Sequence, residues 1–411
     1  MPGLDFPPRD GLRYGALGLA LAFVALPLYV HLPAYYATHF GLPLASLGAL
    51  LLAARALDAV VDPWIGRLCD GALGRPALAW QMPLAAVVLA AGFAGLFFPL
   101  PRAQGALLAW AGGLLVVTYL AYSVLAVLHQ AWGARLGGGA ERQTRVVAWR
   151  EGFALAGVVA ASLLPSALGF GATVLALAAA LAIGLVLLAR APKPATSDAA
   201  PAPLALAWRV SEFRRLLAVY LLNGIAAAVP ATLLLFFIDD RLQLPASQGL
   251  FLASYFAAAV ASLPLWLRLI ARVGQARAWG LGMLLAIAGF AWAAALGAGD
   301  RNGFLAVCLA SGAALGADLA IPGALLAGVI QRAGHAGRAE GAFFGWWNAA
   351  TKLNLALAAG LALPLLQALG YAPGQRDPQA LQALSVAYCL LPCALKLAAA
   401  ALLYRHFIAT P

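Results

Sequence analysis

Long apolar runs, each about the length of a bilayer crossing, alternate with short stretches that hold Arg, Asp, Gly and Pro. A helix rises about 1.5 Å per residue, so about twenty apolar residues cross about 30 Å of hydrocarbon. On that measure the pattern predicts six spans at 13–37, 43–67, 77–99, 105–132, 147–168 and 172–191. Six more follow at 213–237, 248–270, 278–298, 304–331, 341–366 and 383–405. The runs are continuous rather than alternating, which excludes an outer-membrane barrel. The expected fold class is an all-α polytopic membrane protein.

The stretch 190–212 interrupts the pattern. It is rich in Pro and Ala, with Arg190 and Lys193 at one end and Arg209 at the other. Such a composition suits a linker. The expected organisation is therefore a six-helix bundle over 1–191, a linker over 192–212 and a second six-helix bundle over 213–411. A weak internal repeat supports this division. Ala45-Ser46-Leu47-Gly48 has a counterpart in Ala246-Ser247-Gln248-Gly249, and at the same offset Pro63 meets Pro264 and Arg67 meets Arg268. Two parallel six-helix halves with a central site resemble the major facilitator architecture.

Composition agrees with the spans. The chain is 64% hydrophobic and 10% charged, too little charge to cover a soluble protein of this size. The net charge of +11 suggests a nucleic-acid partner only until the basic residues are placed. Arg9, Arg13, Arg67, Arg142, Arg145, Arg190, Arg214, Arg215, Arg272 and Arg405 all fall on one side of the predicted crossings. The other side holds Arg102, Arg241, Arg301 and Arg376. That asymmetry sets a topology with both termini cytoplasmic and needs no nucleic acid to explain it. The first apolar run is too long for a cleavable signal and reads as a retained helix. An Arg-, Ala- and Leu-rich chain of this kind is expected in a bacterial inner membrane. Cys69, Cys308, Cys389 and Cys393 show no metal or redox spacing and read as packing residues.

The second span carries the strongest chemical signal. Arg55, Asp58, Asp62 and Gly66 share one helix face. Ionisable groups at membrane depth are costly and usually face a water-filled path for ions, protons or substrate. A structural Arg55–Asp58 pair is the plainer alternative. At the repeat offset Ala259 and Leu263 replace the two acids, so the second half has the helix without its carboxylates. Other polar groups also fall inside spans. Arg150 and Glu151 are adjacent, so one can pair locally while the other faces a cavity. His129, Gln130 and Trp132 on the fourth span, and Trp347, Asn348, Thr351 and Lys352 on the eleventh, are expected to line the substrate cavity. Asp318 is expected to pair with Lys352, and Lys396 to snorkel toward headgroups or to pack with the final turn. His31, between Pro27 and Pro33, reads as part of a hinge with a tyrosine belt. No phosphate-binding loop, catalytic triad or paired metal-binding His is present, so no enzyme and no cofactor are expected.

Gly66, Asp70, Gly74 and Arg75 resemble the loop motif that closes the second helix of major facilitator transporters, one residue longer than usual. Asp70 and Arg75 are accordingly expected to act as charge partners in a gate, with Asp70 facing a basic residue or a helix end. The set Arg55-x-x-Asp58-x-x-x-Asp62-Pro63-x-x-Gly66 with Gly74-Arg75-Pro76 resembles the helix-two signature of the glycoside–pentoside–hexuronide:cation symporters, the family of melibiose permease. Glu141-Arg142 with Arg150, and Glu340-Gly341 with Gly345 and Lys352, extend the resemblance. It implies that Asp58 and Asp62 bind the coupling ion, H+ or Na+, that Arg150 matches the family's helix-five arginine, a candidate for the substrate cavity, and that Lys352 matches the helix-eleven lysine near the sugar. The chain departs from the family's galactoside transporters in two places. Neither 14–21 on the first helix nor 125–132 on the fourth holds a carboxylate. Fewer oxygen donors favour a proton over sodium as coupling ion.

The expected function is cation-coupled symport of a small organic solute such as a sugar or glycoside, by a monomer in the bilayer. A proton-driven exporter of amphipathic compounds, or uptake of lipid-like or organic-anion substrates, are the alternatives.

Overall fold

The computed structural model describes residues 6–42, 44–72, 78–195, 202–371 and 374–409. The described chain is mostly helical, and each of the twelve expected spans overlaps a helical segment among the described residues. The first half comprises α1 (Pro8–Leu26), α2 (Leu32–Phe40), α3 (Leu44–Ala72), α4 (Leu78–Phe97), α5 (Gln104–Arg135) and α6 (Ala140–Ala189). A short α7 (Leu206–Arg209) precedes α8 (Ser211–Phe236), α9 (Gln248–Val273), α10 (Gln275–Ala293), α11 (Arg301–Arg332) and α12 (Glu340–Ala368). The chain closes with α13 (Pro378–Ser385) and α14 (Leu391–Leu403). Nine helices among the described residues are long and apolar enough to cross a membrane.

Several spans contain a defect with a local cause. A π-turn over Pro27–His31 joins α1 to α2. Pro27 and Pro33 each remove an N–H from the ladder there, and the wider turn accommodates the loss. The long α6 is two expected spans run together. They break at Gly169, whose φ of 77° and ψ of 175° suit glycine and few other residues.

The chain divides into two compact units. One comprises Met1–Arg209 with Ala327–Ala349; the other comprises Val210–Leu326 with Ala350–Pro411. In the first, α1 packs on α6 through small residues. A Cβ on Gly15 would lie 2.8 Å from the Trp149 carbonyl oxygen, and one on Gly18 2.6 Å from that of Arg150. Lipid supplies no hydrophobic drive between helices, so close backbone approach of this kind is what holds them. Both described ends of the Pro-rich 190–212 stretch bond to this unit. Trp132 Nε1 donates to the Pro192 carbonyl at 2.9 Å, and Trp346 Nε1 to that of Leu204 at 3.0 Å. The second unit is centred on aromatic packing, with Phe237 stacked on Tyr388 at 4.2 Å and Phe251 edge-on to Phe304 at 4.8 Å. The four cysteines are free and buried.

Candidate functional site

The acids of α3 lie in the first unit and are fully enclosed. Asp58 is 1% exposed and Asp62 0%. Their spacing of four residues stacks them on one face. Ser123 on α5 donates its hydroxyl to Asp58 Oδ1 at 2.7 Å. Arg55 Nη1 lies 3.9 Å from Asp58 Oδ2, and its guanidinium sits 5.2 Å from the Tyr119 ring centre. Arg55 is thus held between a carboxylate and an aromatic face. Tyr122 of α5 lies within electrostatic range of Arg55, Asp58, Asp62 and Glu151. The contacts here join α3 to α5, through Asp58 with Ser123 and Arg55 with Tyr119.

Beside that cluster, α1 and α5 are tied reciprocally. Tyr14 donates its hydroxyl to the His129 carbonyl at 2.9 Å, and His129 Nε2 donates to the Tyr14 carbonyl at 2.8 Å. That bond assigns the proton to Nε2 and leaves Nδ1 an acceptor. Nδ1 of His129 and Oε1 of Gln130 are both buried with no hydrogen-bond partner among the described residues. Arg150 Nη2 and Nε both donate to Glu151 Oε1, at 2.6 and 3.0 Å. Arg150 and Glu151 thus pair with each other. Trp132 lies nine residues beyond Ser123 on α5, roughly 13 Å along the axis, where it holds the Pro192 carbonyl and Lys193.

A second polar cluster in the same unit surrounds Asp70. Its Oδ1 accepts from Arg135 Nη2 at 3.0 Å and from the Gly341 N–H at 2.7 Å; its Oδ2 accepts from the Ala342 N–H at 2.8 Å. Arg135 also donates through Nε to Glu340 Oε2 at 2.8 Å. Asp70 therefore faces both a cation and the open N-terminus of α12, where unpaired N–H groups favour an anion. Glycine makes this approach possible. A Cβ on Gly66 would collide with the Gly341 carbonyl oxygen, and one on Gly345 would stand 2.6 Å from that of Asp62. In the turn just before α12, burial and the neighbouring Arg338 hold the His335 pKa below its usual value. Its Nδ1 stays free to accept from Arg338 at 2.9 Å. Arg75, expected to share the gate, lies outside the described residues.

The eleventh-span residues divide between the units. Trp347, buried, and Asn348, half-buried, belong to the first; Thr351 and Lys352 belong to the second. Thr351 Oγ1 pairs with the Tyr220 hydroxyl at 2.8 Å. The cation seated on Asp318 is Lys396, at 3.0 Å, where Lys352 was the expected partner. Lys396 is 2% exposed rather than snorkelling. The reason is a neighbouring pair of acceptors. Its ammonium also donates to Asn223 Oδ1 at 2.7 Å, while Asn223 Nδ2 and Trp279 Nε1 donate to Asp318 Oδ1 at 2.9 and 2.8 Å.

A family model described as MFS/sugar transport protein matches residues 13–409. The chain belongs to this family of the major facilitator superfamily. It is a multi-pass membrane transporter and not an enzyme. Solved structures share the fold. The chain is similar to a bacterial homologue of the iron transporter ferroportin in the outward-facing state, with 18% identity over 98% of this chain and 99% of that one, TM-score 0.73. It is similar to the major facilitator transporter FucP in the outward conformation, with 14% identity over 96% and 99%, TM-score 0.71. It is also similar to the human organic anion transporter MFSD10, with 18% identity over 97% and 100%, TM-score 0.68. No curated protein matches in sequence.

Sequence reasoning about this transporter missed Ser123, Tyr122, Arg135 and the Asn223–Lys396 contact. Ser123 and Tyr122 carry no motif; they matter because α5 lies against α3. Arg135 falls among the basic residues on the side expected to be cytoplasmic and carries no motif. Its position at the end of a span, with acids at 70 and 340, was the available signal.

Proposed function

We propose that this transporter carries a small organic solute, a sugar or glycoside, into a bacterial cell together with a proton. The observation that carries this reading is the enclosed pair Asp58 and Asp62 on α3, with Ser123 donating to the first. Carboxylates at membrane depth are retained where a positive ion is taken up and released. Two carboxylates and one hydroxyl are a sparse oxygen set for sodium, while a proton needs a single carboxylate oxygen. Solved relatives by fold include a fucose:proton symporter of E. coli and a proton:xylose symporter. Those names concern those proteins, and they make proton-coupled sugar movement a natural use of the same architecture.

Coupling follows if ion and solute favour the same conformations. Neutralising Asp58 weakens its hold on Arg55 and Ser123, the contacts that tie α3 to itself and to α5. Solute binding then selects the conformation that the proton has already favoured. Arg150 donates twice to Glu151, so the organic-anion alternative gains no support from it.

The test uses proteoliposomes with a pH-sensitive dye trapped inside, given a panel of monosaccharides and glycosides. Internal acidification on adding at least one of them, without sodium, is the expected result. Uptake that requires sodium at clamped pH, with no proton movement, overturns the assignment of the ion. No movement of any panel member overturns the solute class.

A further inference from the structure

The second unit holds a partly open cavity that the α3 acids do not line. Its volume is about 160 Å3. Its walls are largely apolar and include the rings of Phe251, Tyr255, Phe256, Phe290, Phe304 and Tyr388. Asp318 and Lys396 line it as well and give it one polar end.

Hydrogen-bond capacity at that end is not exhausted. A carboxylate offers about four acceptor positions and an ammonium three donors. Asp318 accepts from Asn223, Trp279 and Lys396, while Lys396 donates to Asn223 and Asp318. One acceptor position on Asp318 and one donor on Lys396 remain. A hydroxyl is the smallest group that matches both, accepting from the ammonium and donating to the carboxylate.

Charge and size narrow the occupant further. The Asp318–Lys396 pair is neutral overall, so a charged ligand would leave one buried charge uncompensated. A sugar would press several hydroxyls against aromatic walls that offer few partners. An apolar cavity of about 150 Å3 is large enough for benzene, so one six-membered ring with a small substituent matches this volume.

We infer that this cavity binds an uncharged monocyclic alcohol or phenol, its ring against the aromatic walls and its hydroxyl bridging Lys396 Nζ and Asp318 Oδ2. The site lies within one unit and requires neither the α3 acids nor an ion gradient. It is therefore independent of the symport reading.

The test uses the purified full-length protein in lipid nanodiscs, with 4-fluorophenol as the probe and its fluorine resonance as the readout. Empty nanodiscs correct for partition into lipid. Saturable broadening is expected, displaced by phenol and cyclohexanol. Fluorobenzene should compete about tenfold less well, since it lacks the hydroxyl. Benzoate, benzylammonium and glucose should not compete. Ala227→Phe sets a ring at a lining position of the cavity while Asp318 and Lys396 are retained, and should abolish the broadening. Replacing both polar partners, Asp318→Leu together with Lys396→Met, should remove the preference for phenol over fluorobenzene; if that variant does not fold, Ala227→Phe decides alone. Broadening equal to that in empty nanodiscs, broadening unchanged in Ala227→Phe, or equal competition by benzoate or glucose overturns the site.

Discussion

Arg135 and Asp70 meet at 3.0 Å with neither side chain exposed to solvent. The same guanidinium reaches Glu340 at 2.8 Å, so one cation serves two buried carboxylates. Removing it leaves both uncompensated. Loss of one partner of a buried pair typically costs about 3–5 kcal/mol, and Arg135→Met is expected to lose at least that much. Glu340→Gln keeps the Arg135–Asp70 contact and should cost less. Thermal unfolding of the purified variants in one detergent ranks them. A melting temperature for Arg135→Met equal to that of the parent would show that the cation does not hold this end of the unit.

Asp58 and Asp62 make a different demand, because their proposed role lies in coupling rather than stability. Asn has nearly the shape of Asp and can still accept from Ser123, so Asp58→Asn is expected to fold. It should lose accumulation of solute against a gradient while keeping exchange of labelled for unlabelled solute across the membrane. Asp62→Asn is expected to behave alike. Counterflow measured beside gradient-driven uptake separates the two activities. Full accumulation by both variants would remove the acids from the mechanism.

Gly66 tests the packing that brings α3 against the start of α12. An added Cβ at this position meets the Gly341 carbonyl, whereas at Gly105 it meets nothing within 4 Å. Overpacking of this kind costs about 1–3 kcal/mol. Gly66→Ala should therefore lower thermal stability, and Gly105→Ala should leave it unchanged or slightly raised, since alanine favours the helix. Equal behaviour of the two would mean that the helices part at no cost.

Asp318 and Lys396 offer a double-mutant cycle. Lys396→Met leaves a buried carboxylate with only Asn223 and Trp279 as donors, and is expected to cost about 3–5 kcal/mol. Adding Asp318→Asn removes that charge and should recover part of the loss. The coupling read from the cycle is expected between about 0.5 and 3 kcal/mol. Strict additivity of the two changes would refute the pairing.

Much of this protein is readable without coordinates. Twelve apolar runs, the acids at 58 and 62 and the glycines at 66, 341 and 345 all stand out along the chain. They do so because bilayer thickness and the cost of charge in hydrocarbon act on each segment separately. Partners across helices are another matter. That Ser123 serves Asp58, that Arg135 joins Asp70 to Glu340, and that Lys396 rather than Lys352 pairs with Asp318 depend on which faces of distant helices meet. Apolar runs of similar composition leave that rotation open. Steric fit of small residues and the need to satisfy each buried polar group settle it, and both arise only when the helices pack.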